Sequence, residues 1–216
     1  MACKILIIGA TGLIGRQCVE RLAAAGHEVH ALVRRSTGRD GHETIAPVQD
    51  WPATVGRIGG DVAVCAIGTT MRTAGSQAAF RAVDYDIAVD FARAARAAGV
   101  RHMIAVSSVG ADPGSRNFYL RTKGEMESAL EALGFDRLDI VRPGLLRGER
   151  GGDRRAGERL GILLSPLANL VLRGRLDRYA AIDAGIVAAA IAKLVAADAP
   201  GCFVHHNRDM RRIAGL

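Results

Sequence analysis

The residues best suited to chemistry in this chain are Tyr119 and Lys123, spaced as Tyr-x-x-x-Lys, with the serine pair Ser107-Ser108 shortly before them. On a helix, positions i and i+4 share a face, so the phenol and the ammonium can enter one cleft. A free phenol ionises near pH ~10 and is a poor acid or base at neutral pH, but a nearby ammonium draws that ionisation toward the working range. A serine hydroxyl at the end of a neighbouring strand can hold a carbonyl oxygen. The set suits proton transfer to or from an oxygen while a hydride moves at its carbon. With only three tyrosines and three lysines in 216 residues, the spacing is not readily met by accident.

A hydride needs a carrier, and the N-terminus has the form of a seat for one. Ile5 to Ile8 is a β-favouring aliphatic run that meets Gly9-x-x-Gly12-x-x-Gly15 and then turns helical. Gly9 closes a tight turn, Gly12 admits a pyrophosphate to the backbone, and Gly15 lets helix pack on strand. The helix start offers unpaired N–H groups and a partial positive charge to an anion. The second strand, Glu28 to Val33, ends in Arg34-Arg35 where an NAD-binding protein carries an acid for the ribose hydroxyls. Arginine there accommodates a 2′-phosphate, so NADP(H) is the expected cofactor. Glycine at Gly68, after the strand Asp61–Ile67 and before Thr69-Thr70, permits close approach at the strand's carboxyl end.

These signals repeat as strand–helix units. The reading gives helices over 16–25, 77–98 and 117–133, a short strand over 44–48, and strands over 102–106 and 138–141. Val83, Ile87 and Phe91 form one face of the second of these helices, and Gln49-Asp50 is placed near the adenine edge. The fold class is α/β, a Rossmann-type doubly wound parallel sheet. Residues 1–216 form a single domain, with 145–216 a small C-terminal substrate-side extension. Within it, 145–159 reads as a flap rich in glycine and arginine. An apolar helix, a helix over 183–196 and a last strand over 202–205 follow.

Composition narrows the classes. The net charge is +7, carried by 26 arginines and three lysines. The arginines are scattered, without a zinc-finger or RNA-binding signature, so an anionic small ligand is favoured and no nucleic acid is expected. Cys3, Cys18, Cys65 and Cys202 are far apart and read as reduced thiols. The histidines lack a ligand cluster, so no metal is expected. The longest apolar run contains Pro166 and is too short to span a bilayer. A first strand so close to residue 1 leaves no leader, and a cytoplasmic monomer or homodimer is the expectation.

The ordered segments G-A-T-G-L-I-G-R, V-R-R, A-I-G-T-T, V-S-S-V-G-A-D, Y-L-R-T-K-G-E and V-R-P-G resemble the short-chain dehydrogenase/reductase superfamily. The stretch from Ser107 to Glu127 and R-P-G-L-L are similar to its atypical, Tat-interacting-protein-like branch. The resemblance weakens after about residue 159. It implies an NADPH-dependent oxidoreductase acting on a small carbonyl or alcohol, with Tyr119 as proton donor and acceptor and Lys123 on the nicotinamide ribose. Carried over by motif, Thr11, Gly12, Leu13 and Ile14 line the pyrophosphate and Arg34 and Arg35 take the adenosine phosphate. Ile67 and Gly68 face the adenine side, Leu146 and Arg154 close the nicotinamide end, and Thr69 and Pro143 are further cofactor-binding positions. Two positions depart from the superfamily pattern. Ser108 lies eleven residues before Tyr119 rather than thirteen, leaving the choice between Ser107 and Ser108 open. Asp84 stands where a catalytic asparagine is common, which keeps a second reading alive: a protein that binds NADPH as a redox sensor or scaffold without turnover. Nucleotide-sugar epimerisation ranks last, because so few residues follow the sixth strand.

Overall fold

In the computed structural model, residues 2–38, 43–148 and 174–216 are described. The first strand, β1 (Lys4–Ile8), leads through the glycine turn into α1 (Gly15–Ala24), followed by β2 (Glu28–Val33) and β3 (Glu43–Ile45). Helix α2 (Trp51–Ile58) and β4 (Val62–Cys65) come next, then the short α3 (Met71–Ala74). The expected helix over 77–98 is α4 (Gln77–Arg81), a π turn over Ala82–Ile87, and α5 (Ala88–Ala97). Strand β5 (His102–Val106), α6 (Phe118–Glu131) and β6 (Arg137–Val141) follow. A small pair, β7 (Leu145–Arg147) and β8 (Ala181–Asp183), precedes α7 (Ala184–Leu194), β9 (Gly201–His205) and α8 (Asn207–Ala214).

Seven strands form one parallel sheet in the order β3-β2-β1-β4-β5-β6-β9. Such a sheet is covered on both faces, which is why its inner strands read as continuous aliphatic runs. Ile5 and Ile7 point to the layer that holds Cys18 and Leu22 of α1 and Val187 and Ile191 of α7. Leu6 and Ile8 point the other way, onto Val55 of α2, Phe91 of α5 and Met126 and Leu130 of α6. Chain order reverses between β1 and β4, and ligands of open α/β sheets settle outside the strand ends at such a switch.

Several expectations shift. The third strand lies over 43–45, not 44–48, because Pro47 opens a 3₁₀ turn that runs into the unforeseen α2. The expected flap begins as strand β7, paired in parallel with β8, and the expected apolar helix lies outside the described residues. Helix α8 was also unforeseen. Its first residue, Asn207, is fully buried. The Asn207 side chain accepts the Gly144 N–H at 2.9 Å and donates to the carbonyls of Ala180 and Asp177 at 2.7 and 3.0 Å. A Cβ on Gly144 would stand 2.2 Å from the Ala180 oxygen, so glycine is required in this crossing.

Beneath β5, β6 and β9 lies a buried charge cluster. Asp139 accepts from His102 Nε2 at 2.7 Å, His205 Nε2 at 2.6 Å, and both Nε and Nη2 of Arg137 at 2.6 and 2.9 Å. Burial raises the Asp139 carboxyl, but the hydrogen bonds from His102, His205 and Arg137 outweigh it and hold the group well below the usual carboxylate range. A depressed carboxyl stabilises the fold above its unfolded value and loses that contribution as pH falls through its folded value. Asp139→Asn should therefore cost about 3–5 kcal/mol at pH 7 by leaving Arg137 unpaired. The gap between variant and wild type should close only well below pH ~4, as urea unfolding across pH would show.

Candidate functional site

The glycine turn is built by close backbone approach. Gly9 has φ +81°, and a Cβ there would lie 2.3 Å from the Ala66 carbonyl carbon at the end of β4. A Cβ on Gly15 would lie 2.2 Å from the Gly9 oxygen, so only glycine lets α1 start directly against the turn. The Gly12 N–H closes the turn onto the Gly9 oxygen at 2.9 Å. Above it opens a cleft of about 560 Å³.

Its lining includes Gly9, Thr11 and Gly12 after β1, and Ile67, Gly68 and Thr69 after the neighbouring β4. Arg34 and Arg35 flank the cleft, exposed, with no ion pair among the described residues. Val48 and Trp51 supply an apolar end, with the Trp51 indole N–H anchored on the Ala46 oxygen at 3.0 Å. The expected adenine neighbours Gln49-Asp50 are thus replaced by the residues on either side of them. Val83 and Ile87 line the cleft at the π turn, and Ile87 also packs against the core layer that holds Phe91.

Not every cofactor residue expected from the sequence reaches the cleft. Ile14 is a core side chain and Gly15 is covered. Leu13 packs at the edge of the same core. Leu146 sits in β7 opposite Ile182, also against the core that α1 and α7 share, and not as a free flap residue. Pro143 is buried beyond β6, where its carbonyl accepts the Val109 N–H at 3.0 Å. Arg154 lies outside the described residues.

Beside Gly68 lie Asp84 and Lys123. Asn117 caps α6 by accepting the Leu120 N–H, which fixes the helix register of Tyr119 and Lys123. Tyr119 is partly buried, its ring 5.4 Å from that of Phe80. Lys123 is 5% exposed, and its Nζ lies 2.7 Å from Asp84 Oδ1, itself 1% exposed. Asp84 Oδ2 accepts the Thr69 N–H at 2.8 Å. Burial works against the Lys123 charge, but Asp84 and then Tyr119 outweigh it and hold the ammonium above the usual lysine range. Ser107 Oγ is buried with no hydrogen-bond partner among the described residues, whereas Ser108 Oγ donates a long contact of 3.4 Å to the Val109 oxygen. A buried hydroxyl without a partner has capacity for a ligand or a water. Asp84 is the site residue whose role the sequence left undefined, and its signal was the missing asparagine.

These features fit a dinucleotide: a side-chain-free backbone cradle, a helix start, two exposed arginines at the end of β2, and the Asp84–Lys123 pair beside Gly68. A family of NAD(P)H-binding proteins matches residues 9–163, and the chain belongs to it as an atypical short-chain dehydrogenase/reductase. Among curated relatives, the Scheffersomyces stipitis protein FMP52-1, mitochondrial, is 37% identical over 152 residues, 67% of this chain and 67% of its own. The Eremothecium gossypii protein FMP52, mitochondrial, is 38% identical over 177 residues, 79% of this chain and 77% of its own. A solved Bacillus halodurans structure assigned as an NAD-dependent epimerase/dehydratase superposes with TM-score 0.72 at 26% identity, over 99% of each chain. The relatives' mitochondrial names overturn the cytoplasmic expectation, which rested on where the first strand begins and so on nothing that fixes a compartment. No helix among the described residues is long and apolar enough to cross a membrane.

Gly15→Ala should abolish dinucleotide binding and lower the melting temperature, because its methyl meets a carbonyl with no room to move. Gly56→Ala, in open space on α2, should instead leave binding intact and raise stability by up to about 1 kcal/mol. Thermal melts with and without cofactor check both.

Proposed function

We propose that the protein is an NADPH-dependent oxidoreductase that reduces a small carbonyl compound, with Tyr119 as the proton donor. The observation that carries this reading is the pairing of Tyr119 with Lys123 one helical turn away, the ammonium lying beside the Gly68 wall of the cleft. When bound, the reduced nicotinamide supplies a hydride to the carbonyl carbon and leaves oxidised. The Tyr119 O–H bond breaks as its proton joins the carbonyl oxygen. Ser107, whose hydroxyl has no partner, donates a hydrogen bond to that oxygen and polarises it. Between the two serines, burial without a partner favours Ser107.

The phosphate preference follows from Arg34 and Arg35. Each charge-assisted contact to a 2′-phosphate contributes about 1.5–3 kcal/mol, so NADPH should bind at least ten-fold more tightly than NADH. No acidic residue stands in Leu32–Thr37 at this strand end, although Glu43 of β3 accepts from Ser36 and Thr37. A second reading, a dinucleotide-responsive sensor or scaffold without turnover, is favoured by Asp84 in the asparagine position. It predicts stabilisation by both NADPH and NADP⁺ together with no oxidation across a broad carbonyl panel.

Calorimetry should give the NADPH preference for the unmodified protein and its loss or reversal in Arg34→Asp with Arg35→Ala. Equal affinities for the two cofactors would remove the phosphate clamp. Tyr119→Phe should lower kcat on an identified carbonyl substrate by about 10²–10⁴-fold with NADPH affinity unchanged, and undiminished turnover would remove Tyr119 from the chemistry.

A further inference from the structure

A lysine that assists a phenol through its charge does so in proportion to how little of that charge is offset nearby. Here the offset is built in. The Asp84 carboxylate meets the Lys123 ammonium at 2.7 Å, with both side chains buried. It is also held in place. The Thr69 N–H fixes Oδ2, the π turn sets its backbone, and a Cβ on Gly68 would stand 3.3 Å from Oδ1, so a side chain there would crowd the pair.

The other groups around the pair are few. Cys65, at the end of β4, faces Lys123, but burial pushes its thiol up to about 11 and leaves it neutral. On α4, Phe80 packs against the Tyr119 ring, and the neighbouring Arg81 is committed to Glu125 of α6. Asp84 is therefore the one formal anion against the Lys123 ammonium among the described groups.

We propose that Asp84 is a positioning residue acting through Lys123, a fixed counter-ion that cancels most of the pull of the ammonium on the Tyr119 phenol. The phenol then keeps its proton to a higher pH than it would beside an unopposed ammonium, and the reducing step, which needs that proton, persists to a higher pH. This rests on the reductase reading above, and it sets the pH range of that reaction. In the reducing step the Tyr119 O–H bond breaks, the proton joins the substrate oxygen as hydride from NADPH reaches the carbon, and water reprotonates the phenolate. An asparagine at position 84 would remove the charge and keep one of the two contacts, since its single carbonyl oxygen can accept from the Thr69 N–H or from the Lys123 ammonium but not from both.

The test is the ultraviolet titration of phenolate in the cofactor-free protein, isolating Tyr119 from Tyr85 and Tyr179 by subtracting the Tyr119→Phe curve. In Asp84→Asn the Tyr119 phenol should ionise about one pH unit or more below wild type. The alkaline limb of the reduction rate should move by the same interval. A folded Asp84→Asn that titrates as wild type overturns the proposal. Should that variant not fold, Asp84→Asn with Lys123→Met removes both charges, and Tyr119 should then ionise at the wild-type pH. Ionisation at a higher pH would show that the ammonium was never cancelled, and would equally overturn it. A lowered titration in Asp84→Asn, with no carbonyl turned over by wild type, would support the counter-ion and sink the reductase reading. Turnover by wild type without any shift in the variant would do the reverse.

Discussion

At the head of α1 two backbone segments come closer than any side chain would allow. Gly15 rests on the carbonyl of Gly9, and Gly9 rests on Ala66. That contact ties β1, the start of the first helix and the end of β4 into one block, which places the helix N-terminus over the point where strand order reverses. Both consequences matter. The crevice is open because no side chain fills it, and its floor is electrostatically suited to an anion because the first-turn N–H groups have no intrahelical partner.

The reactive half depends on this block through Gly68 and Thr69. They continue the cleft wall from β4, and the Thr69 N–H is what fixes Asp84 and, through it, Lys123. A single rigid path thus runs from the cofactor wall to the helix that carries Tyr119. The π turn spans Ala82–Ile87, the residues that bring Asp84 to Lys123 and Val83 and Ile87 to the cleft, and π turns are frequent at functional sites. The far side is held by Asn207, which ties the chain after β6 to the residues before β8.

Much of this was legible from residue order. Aliphatic runs bounded by glycine gave β2 and β5 at their observed limits and β1 to within one residue, because strands buried on both faces leave little choice of residue. The helices read over 117–133 and 183–196 begin at Asn117 and Asp183, the residues whose side chains cap α6 and α7 in the structure. What could not be read were effects of tertiary context. Ile14 follows the glycine motif but faces the core, since the helix begins by turning that position under the sheet. Leu146 joins a two-stranded pairing whose partner, Ile182, is distant in sequence. The Asp139 cluster draws on three strands, and nothing local in His102, Arg137 or His205 announces their common partner. Asp84 was noticed as a departure, but its meaning depended on knowing that Lys123 lies against it.

The central claim is that one dinucleotide spans both halves of this site. A crystal structure of the complex with NADPH tests it most directly. The account predicts the pyrophosphate over the Gly9–Gly12 turn, the 2′-phosphate on Arg34 and Arg35, and the Tyr119 hydroxyl facing the nicotinamide with Ser107 beside it. A dinucleotide bound away from the glycine turn, or a Tyr119 hydroxyl directed away from the nicotinamide, would contradict it.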